Sequence, residues 1–140
     1  GWIFCKIFRG RKDAKNLILF RSKYFFVVFN TFPYTNGHVM VVSNRHIKDI
    51  DLLNDTELLD MNKCLIRVKK LLQKVIKPQG FNVGLNIGKV AGAGVEKHLH
   101  VHLVPRWLGD TNFMPVTSNT KIISQGLKDL YRECKKVLTK

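Results

Sequence analysis

Residues 98–104 read His-Leu-His-Val-His-Leu-Val, so three of the chain's five histidines fall on alternate positions of one short run. In an extended strand successive side chains point to opposite faces. His98, His100 and His102 therefore share one face, and Leu99, Val101 and Leu103 share the other. The apolar face can anchor the strand in a core, while a row of imidazoles suits proton transfer, attack at phosphorus or metal binding. Strand rise, about 3.3 Å per residue, sets the outer two imidazoles roughly 13 Å apart, too far for all three to share one ion. A pair could hold zinc only with a further donor, and His38, His46 and Cys5 are the visible candidates. At phosphorus, an imidazole nitrogen attacks once its other nitrogen is held as an N–H donor. Neighbouring imidazoles then bond non-bridging oxygens and protonate the leaving group. Gly88, Gly92 and Gly94 precede the row as a glycine-rich loop whose bare N–H groups can approach an anion closely. Chemistry at phosphorus is the favoured reading, and no residue is assigned as a metal ligand.

The elements that must position this row follow from periodicity and turn chemistry. Leu17–Arg21 and Tyr24–Asn30 read as a hairpin joined by Ser22-Lys23, Thr31–Gly37 as a loop, and His38–Ser43 as a third strand. A polar stretch, Asn44–Leu53, leads to a long helix predicted from about Asp55 to Ile76. Asn54 is its N-cap and Glu57 the capping-box partner, and Leu58, Met61, Leu65, Val68, Leu72 and Val75 form its apolar stripe. Lys77-Pro78-Gln79-Gly80 ends that helix, and Phe81–Ile87 alternates as a fourth strand before the histidine strand. A last helix is expected from about Thr120 to Leu138, with Ile123, Leu127, Leu130, Cys134 and Val137 on one face. Strands arriving in hairpin-like groups predict an α+β fold with an antiparallel sheet rather than a doubly wound parallel one.

A chain of 140 residues, 45% of them hydrophobic, is long enough for one domain with a proper core, here residues 1–140. Three cysteines without a CxxC pair imply no disulfide framework. Cys64 and Cys134 fall on apolar helix stripes as small core residues. The opening Gly1–Lys6 lacks the pattern of a signal peptide and no apolar run reaches membrane-spanning length, so the expected compartment is the cytoplasm, with no membrane partner. Net charge is +14, but the 24 basic residues are spread as nine, eight and seven over residues 1–50, 51–100 and 101–140. That dispersion favours a generally basic surface, ahead of a field that helps draw in polyphosphates and of a specific nucleic-acid site.

The run His98-Leu-His100-Val-His102-Leu-Val resembles the signature of the histidine triad (HIT) family of nucleotide hydrolases and transferases. Phe26–Asn30, Pro33, Gly37–Ser43 and Arg45-His46 resemble the nucleoside-binding half of that family, and Asn82–Gly88 resembles its phosphate-side strand, so the likeness covers roughly residues 3–117. The resemblance implies a sheet of about five antiparallel strands with one long central helix and a C-terminal helix, paired as a homodimer around that helix and the Phe81–Ile87 strand. It implies that His100 is the nucleophile, that His98 and His102 contact phosphate oxygens or the leaving group, and that Asn86 bonds an oxygen near the attacked phosphorus. Gly92 and Gly94 would offer backbone N–H groups. Asn30 would bond ribose hydroxyls, and Ile3, Phe4, Phe29 and Ile47 would wall the adenine pocket. His38 and His46 match supporting positions. Two departures stand out. Ala91–Lys97 replaces the Gly-Gln-Ser/Thr-Val run of many members, and Trp2 occupies the first cysteine position of the Cys-x-x-Cys run of zinc-binding members, so a structural zinc is not expected.

Pro105-Arg-Trp-Leu-Gly-Asp-Thr-Asn-Phe-Met-Pro115 is similar to the branch that includes diadenosine tetraphosphate phosphorylases, with Arg106 and Asn112 as candidates for holding acceptor phosphate. The implied function is nucleotidyl transfer on adenine dinucleoside polyphosphates through a nucleotidyl-histidine, with inorganic phosphate as the favoured acceptor. No cofactor is required, and magnesium accompanying the polyphosphate is the one ion expected. Alternatives are a hydrolase of the same substrates or other adenylates, and a nucleotide-binding signalling module with little turnover.

Overall fold

The computed structural model describes residues 2–31, 34–92, 98–110 and 125–140. Helices α1 (Trp2–Gly10) and α2 (Asp13–Asn16) precede strands β1 (Ile18–Arg21), β2 (Phe25–Thr31) and β3 (Tyr34–Ser43). After a 3-10 turn at Ile50–Leu52 come helix α3 (Asp55–Val75), strand β4 (Gly80–Gly84), a second 3-10 turn at Lys89–Ala91, strand β5 (His100–Arg106) and helix α4 (Gln125–Leu138). The strands form one antiparallel sheet in the order β1-β2-β3-β5-β4, the predicted α+β class with five strands. Among the described residues no helix is long and apolar enough to cross a membrane.

Strand alternation divides the apolar residues into two layers. Leu19, Phe25, Val27, Val39, Val41, Leu99, Val101 and Leu103 face Met61, Cys64, Val68 and Leu72 of α3 and Leu127, Leu130 and Cys134 of α4, which makes the larger core. On the other face Ile18, Phe26, Val28, Met40 and Val42 pack with Phe4 of α1 in a smaller cluster. His100 pairs with Val42 and His102 with Met40 across β3–β5. Side chains of directly paired residues lie on the same face, so the imidazoles belong to the smaller layer.

Helix α3 begins as expected. Asn54 accepts from the Glu57 N–H at 2.9 Å while Glu57 accepts from the Asn54 N–H at 3.1 Å, a reciprocal capping box. Elsewhere the boundaries differ from the sequence reading. Helix α1 was not expected, although Ile3, Phe4, Ile7 and Phe8 have helical spacing. The first hairpin turns over Ser22–Tyr24, not Ser22-Lys23, because Ser22 N–H closes on Phe25 O at 2.7 Å. Tyr34–Gly37 belongs to β3 rather than to a loop. Gly37 is tolerated there at φ +82 because a Cβ would lie 2.7 Å from Ile76 Cδ1 and 2.9 Å from Pro105 Cγ. Strand β4 ends at Gly84, leaving Leu85–Ile87 outside the ladder. Helix α4 is described from Gln125, so Thr120 and Ile123 lie outside the described residues.

Candidate active site

The histidine row is built where β5 begins. Ser43 N–H donates to Leu99 O at 3.2 Å and Leu99 N–H to Ile47 O at 2.6 Å, so the segment after β3 holds the residues just before His100 in extended form. That segment is fastened to α3: Arg45 donates to both carboxylate oxygens of Glu57, at 2.8 and 2.9 Å, and the Glu57 side chain is only 3% exposed. The Arg45 guanidinium, with the Asn54 N–H, holds the Glu57 carboxyl below its usual range. One buried carboxylate thus caps the helix and positions the His46 segment, a second role that the sequence reading missed because the ion pair spans separate elements.

Hydrogen bonds to groups that can only accept fix the protons on two imidazoles. His98 Nε2 lies 2.7 Å from Ser43 O and must carry hydrogen there, leaving Nδ1 as a bare acceptor. His100 Nδ1 lies 2.8 Å from His98 O and must donate to it, which leaves the lone pair on His100 Nε2. A third chain runs from Asn30: its Nδ2 donates to His38 Nδ1 at 3.1 Å, and His38 Nε2 then donates to His102 Nδ1 at 2.8 Å. His102 in its neutral form therefore carries hydrogen on Nε2. The His100 and His102 rings meet edge to face with centroids 4.8 Å apart.

Burial favours the uncharged form of His38, His100 and His102. It is the largest cause of the lowered His100 value, opposed by the hydrogen bond to the His98 carbonyl. Burial, with the charge of neighbouring imidazoles as the smaller cause, pushes His38 and His102 each down to about 4. A neutral imidazole with a fixed Nδ1–H is the nucleophilic form, and a neighbouring Nε2–H is a donor for an oxyanion.

Phe4, 3% exposed, packs behind the row, with its ring centroid 5.3 Å from His98 and 5.2 Å from His100. It backs the imidazoles instead of standing open as a pocket wall. Ile3 is exposed, whereas Phe29 and Ile47 are buried in the larger core. Asn86 Nδ2 donates to Gly92 O at 3.3 Å and so braces the glycine loop ahead of the row. Arg106 stands at the far end of β5, gripped by Asp110 through two bonds of 2.9 Å and by Asn82 Oδ1 at 2.8 Å. A guanidinium committed to these partners serves the loop after β5, and the same grip holds Asp110 down to about 2. Gly94 and Asn112 lie outside the described residues.

His46 and Cys5 also reach this corner. Cys5 Sγ is 3.4 Å from His46 Nδ1 and 3.8 Å from His98 Nδ1, and the two nitrogens are 3.0 Å apart. All three donor atoms lie within 4.8 Å of one another. In tetrahedral zinc sites ligand atoms sit about 3.3–3.8 Å apart, so the two sulfur–nitrogen distances suit such a site, while the two imidazoles at 3.0 Å would have to part slightly to hold an ion. Zinc held by them would cross-link α1, the segment after β3 and the start of β5. Cys5 and His46 are visible as donors in the sequence, but no local pattern brings both to His98.

The geometry agrees with the family comparison. The model of the HIT domain matches residues 11–107. The AP-4-A phosphorylase of Mycobacterium tuberculosis is 40% identical over 120 residues, which is 86% of this chain and 62% of that protein. The chain thus spans less than two thirds of that relative's length. The bis(5'-nucleosyl)-tetraphosphatase (asymmetrical) of Schizosaccharomyces pombe is 31% identical over 93 residues, 66% of this chain and half of that protein. Among solved structures, a hypothetical histidine triad nucleotide-binding protein from Sulfolobus tokodaii superposes with a TM-score of 0.76 at 25% identity, covering 98% of this chain and 93% of the other. With the domain matched over residues 11–107, more than half of the chain, and His100 and His102 on one face of β5 just after His98, the chain belongs to the HIT domain family.

Proposed function

We propose that this chain is a nucleotidyl-transfer enzyme acting on adenine dinucleoside polyphosphates. The observation that carries the reading is His100, with Nδ1–H fixed on His98 O and the Nε2 lone pair left for attack. His100 Nε2 forms a bond to the α-phosphorus, and the bond from that phosphorus to the bridging oxygen of the leaving polyphosphate breaks. His102 Nε2–H and the N–H groups of the glycine loop stabilise the charge on oxygen. An oxygen of inorganic phosphate then attacks the nucleotidyl-histidine, releasing a nucleoside diphosphate and restoring His100. The covalent steps need no metal; magnesium accompanies the polyphosphate.

Phosphate is preferred as acceptor because the 40% identical relative bears the name of a phosphorylase. The tetraphosphatase likeness favours water as the second reading. Incubation with diadenosine tetraphosphate, with and without inorganic phosphate, separates them: phosphorolysis gives a nucleoside diphosphate only when phosphate is present. A nucleoside monophosphate under both conditions means hydrolysis, and bound but unconverted dinucleotide means a binding module.

The same reading includes a homodimer and the cytoplasm, where three free cysteines stay reduced. Strand β4 is a sheet edge, and Leu59, Ile66 and Val83 are each more than half exposed on α3 and β4, which supports pairing of that face with a second copy.

A further inference from the structure

Away from the histidines, a cleft opens beside the larger core. It measures about 470 Å³ and lies between α2 and α4, lined by Ala14, Lys15, Leu17, Lys128, Tyr131 and Arg132. Its floor is firm. Tyr131 donates from its buried hydroxyl to Ile18 O at 3.0 Å, and one turn on Lys135 donates to Leu19 O at 3.1 Å, so α4 is tied to β1 under the cleft. The rim is cationic. Lys15 comes from α2 and Lys128 and Arg132 from α4, elements separated by more than a hundred residues of sequence. No carboxylate lines the cleft among the described residues. The nearest acids have other partners: Asp13 is held by Arg21, Asp129 by Arg132 and Gln125, and Glu133 by Lys136. Among the described ion pairs none uses Lys15 or Lys128. The Arg132 pair with Asp129 is more than half exposed on both sides, and such a pair exchanges readily for a stronger anion.

We infer that this cleft is a second anion site, taking the phosphate chain of a small polyphosphate between Lys15, Lys128 and Arg132. Like charges held around one hollow repel each other until an anion sits between them, and phosphate oxygens accept from ammonium and guanidinium groups together. The apolar floor of Leu17 and Tyr131 leaves room for a group attached to the chain, and the volume lies within the range of small-ligand sites. The site is independent of the chemistry proposed for His100.

The test is a titration of the full chain with inorganic tripolyphosphate, followed through backbone amide resonances at 150 mM salt. Saturable shifts are expected at Ala14, Lys15, Leu17, Lys128 and Arg132. The double substitution Lys15→Glu with Lys128→Glu should weaken that response by about tenfold or more, given the worth of charge-assisted hydrogen bonds. Turnover of dinucleotide should stay unchanged. The milder pair Lys15→Gln and Lys128→Gln gives the same direction if charge reversal disturbs folding. Adenosine triphosphate matching or exceeding tripolyphosphate supports the site, and the second case adds a seat for the base. Shifts spread evenly over lysines and arginines away from the cleft, shifts undiminished in the variants, or tighter cleft binding by a single-stranded oligonucleotide would each overturn the assignment.

Discussion

At the scale of single residues, the site works through proton placement. Asn30, His38 and His102 form one directed chain, so His38 decides which nitrogen of His102 carries hydrogen. His38→Ala removes that direction, and kcat is expected to fall about tenfold or more with KM little changed, as for loss of one transition-state donor. His38→Gln, which can still donate toward His102, should recover part of it; equal loss in both variants would contradict the orienting role. The depressed His38 and His102 values also set a pH dependence of stability. Their folded values, about 4, lie below the ordinary 6.5, so between those limits the unfolded chain binds more protons than the folded one. Stability from these groups is fully present above about pH 6.5 and drains away as pH falls toward 4. Urea midpoints at pH 7, 5.5 and 4.5 should decline in that order, and a flat series would refute it. The alternation of three histidines was readable at once, since strand period alone puts them on one face. Their separate partners were not. Ser43 O, His38 and Cys5 approach from positions 55 to 93 residues away, and no local pattern encodes that meeting.

At the scale of elements, two devices hold the row in place. Glu57 caps α3 and grips Arg45, so Glu57→Ala should lower stability by about 2 kcal/mol through loss of both the cap and a partly buried ion pair. The same variant should loosen the segment that holds Leu99, and amide exchange at Leu99 is expected to quicken relative to Val27. Gly37 is the second device. With φ at +82 and a virtual Cβ against Ile76 and Pro105, Gly37→Ala should cost about 2 kcal/mol or more, read as a lowered midpoint in denaturant. Wild-type stability in that variant would mean the close approach does not persist in solution. Helix α3 and the antiparallel sheet were legible because their periodicities run over many residues. Helix α1 was not, since nine residues rich in aromatics read equally as a strand until Phe4 is seen against Phe26. The strand character of Tyr34–Gly37 was hidden for the opposite reason: Pro33, Asn36 and Gly37 are turn formers, and pairing with β2 overrode them.

At the scale of the whole molecule, the sheet separates tasks by face. The larger core with α3 and α4 supplies stability, while the smaller layer under α1 shelters the imidazoles. In the homodimer proposed above, the exposed apolar face on α3 and β4 is where a second copy would pack. Leu59→Glu with Ile66→Glu should convert a dimer to a monomer in sedimentation velocity, and an unchanged assembly would locate the interface elsewhere. Class and strand number were open to prediction from the order of elements, but the meeting of Lys15, Lys128 and Arg132 was not, since even spacing of basic residues along the chain conceals the cleft between α2 and α4. The central claim is that His100 carries the nucleotidyl group, and trapping under alkaline quench, in which a phosphorus–nitrogen bond to histidine survives, tests it most directly. Rapid quenching during turnover of diadenosine tetraphosphate, followed by peptide mass analysis, should find an adenylyl adduct on His100 and none in His100→Ala, which should also lose turnover. Turnover that proceeds in His100→Ala, or an adduct carried by another residue, would contradict it.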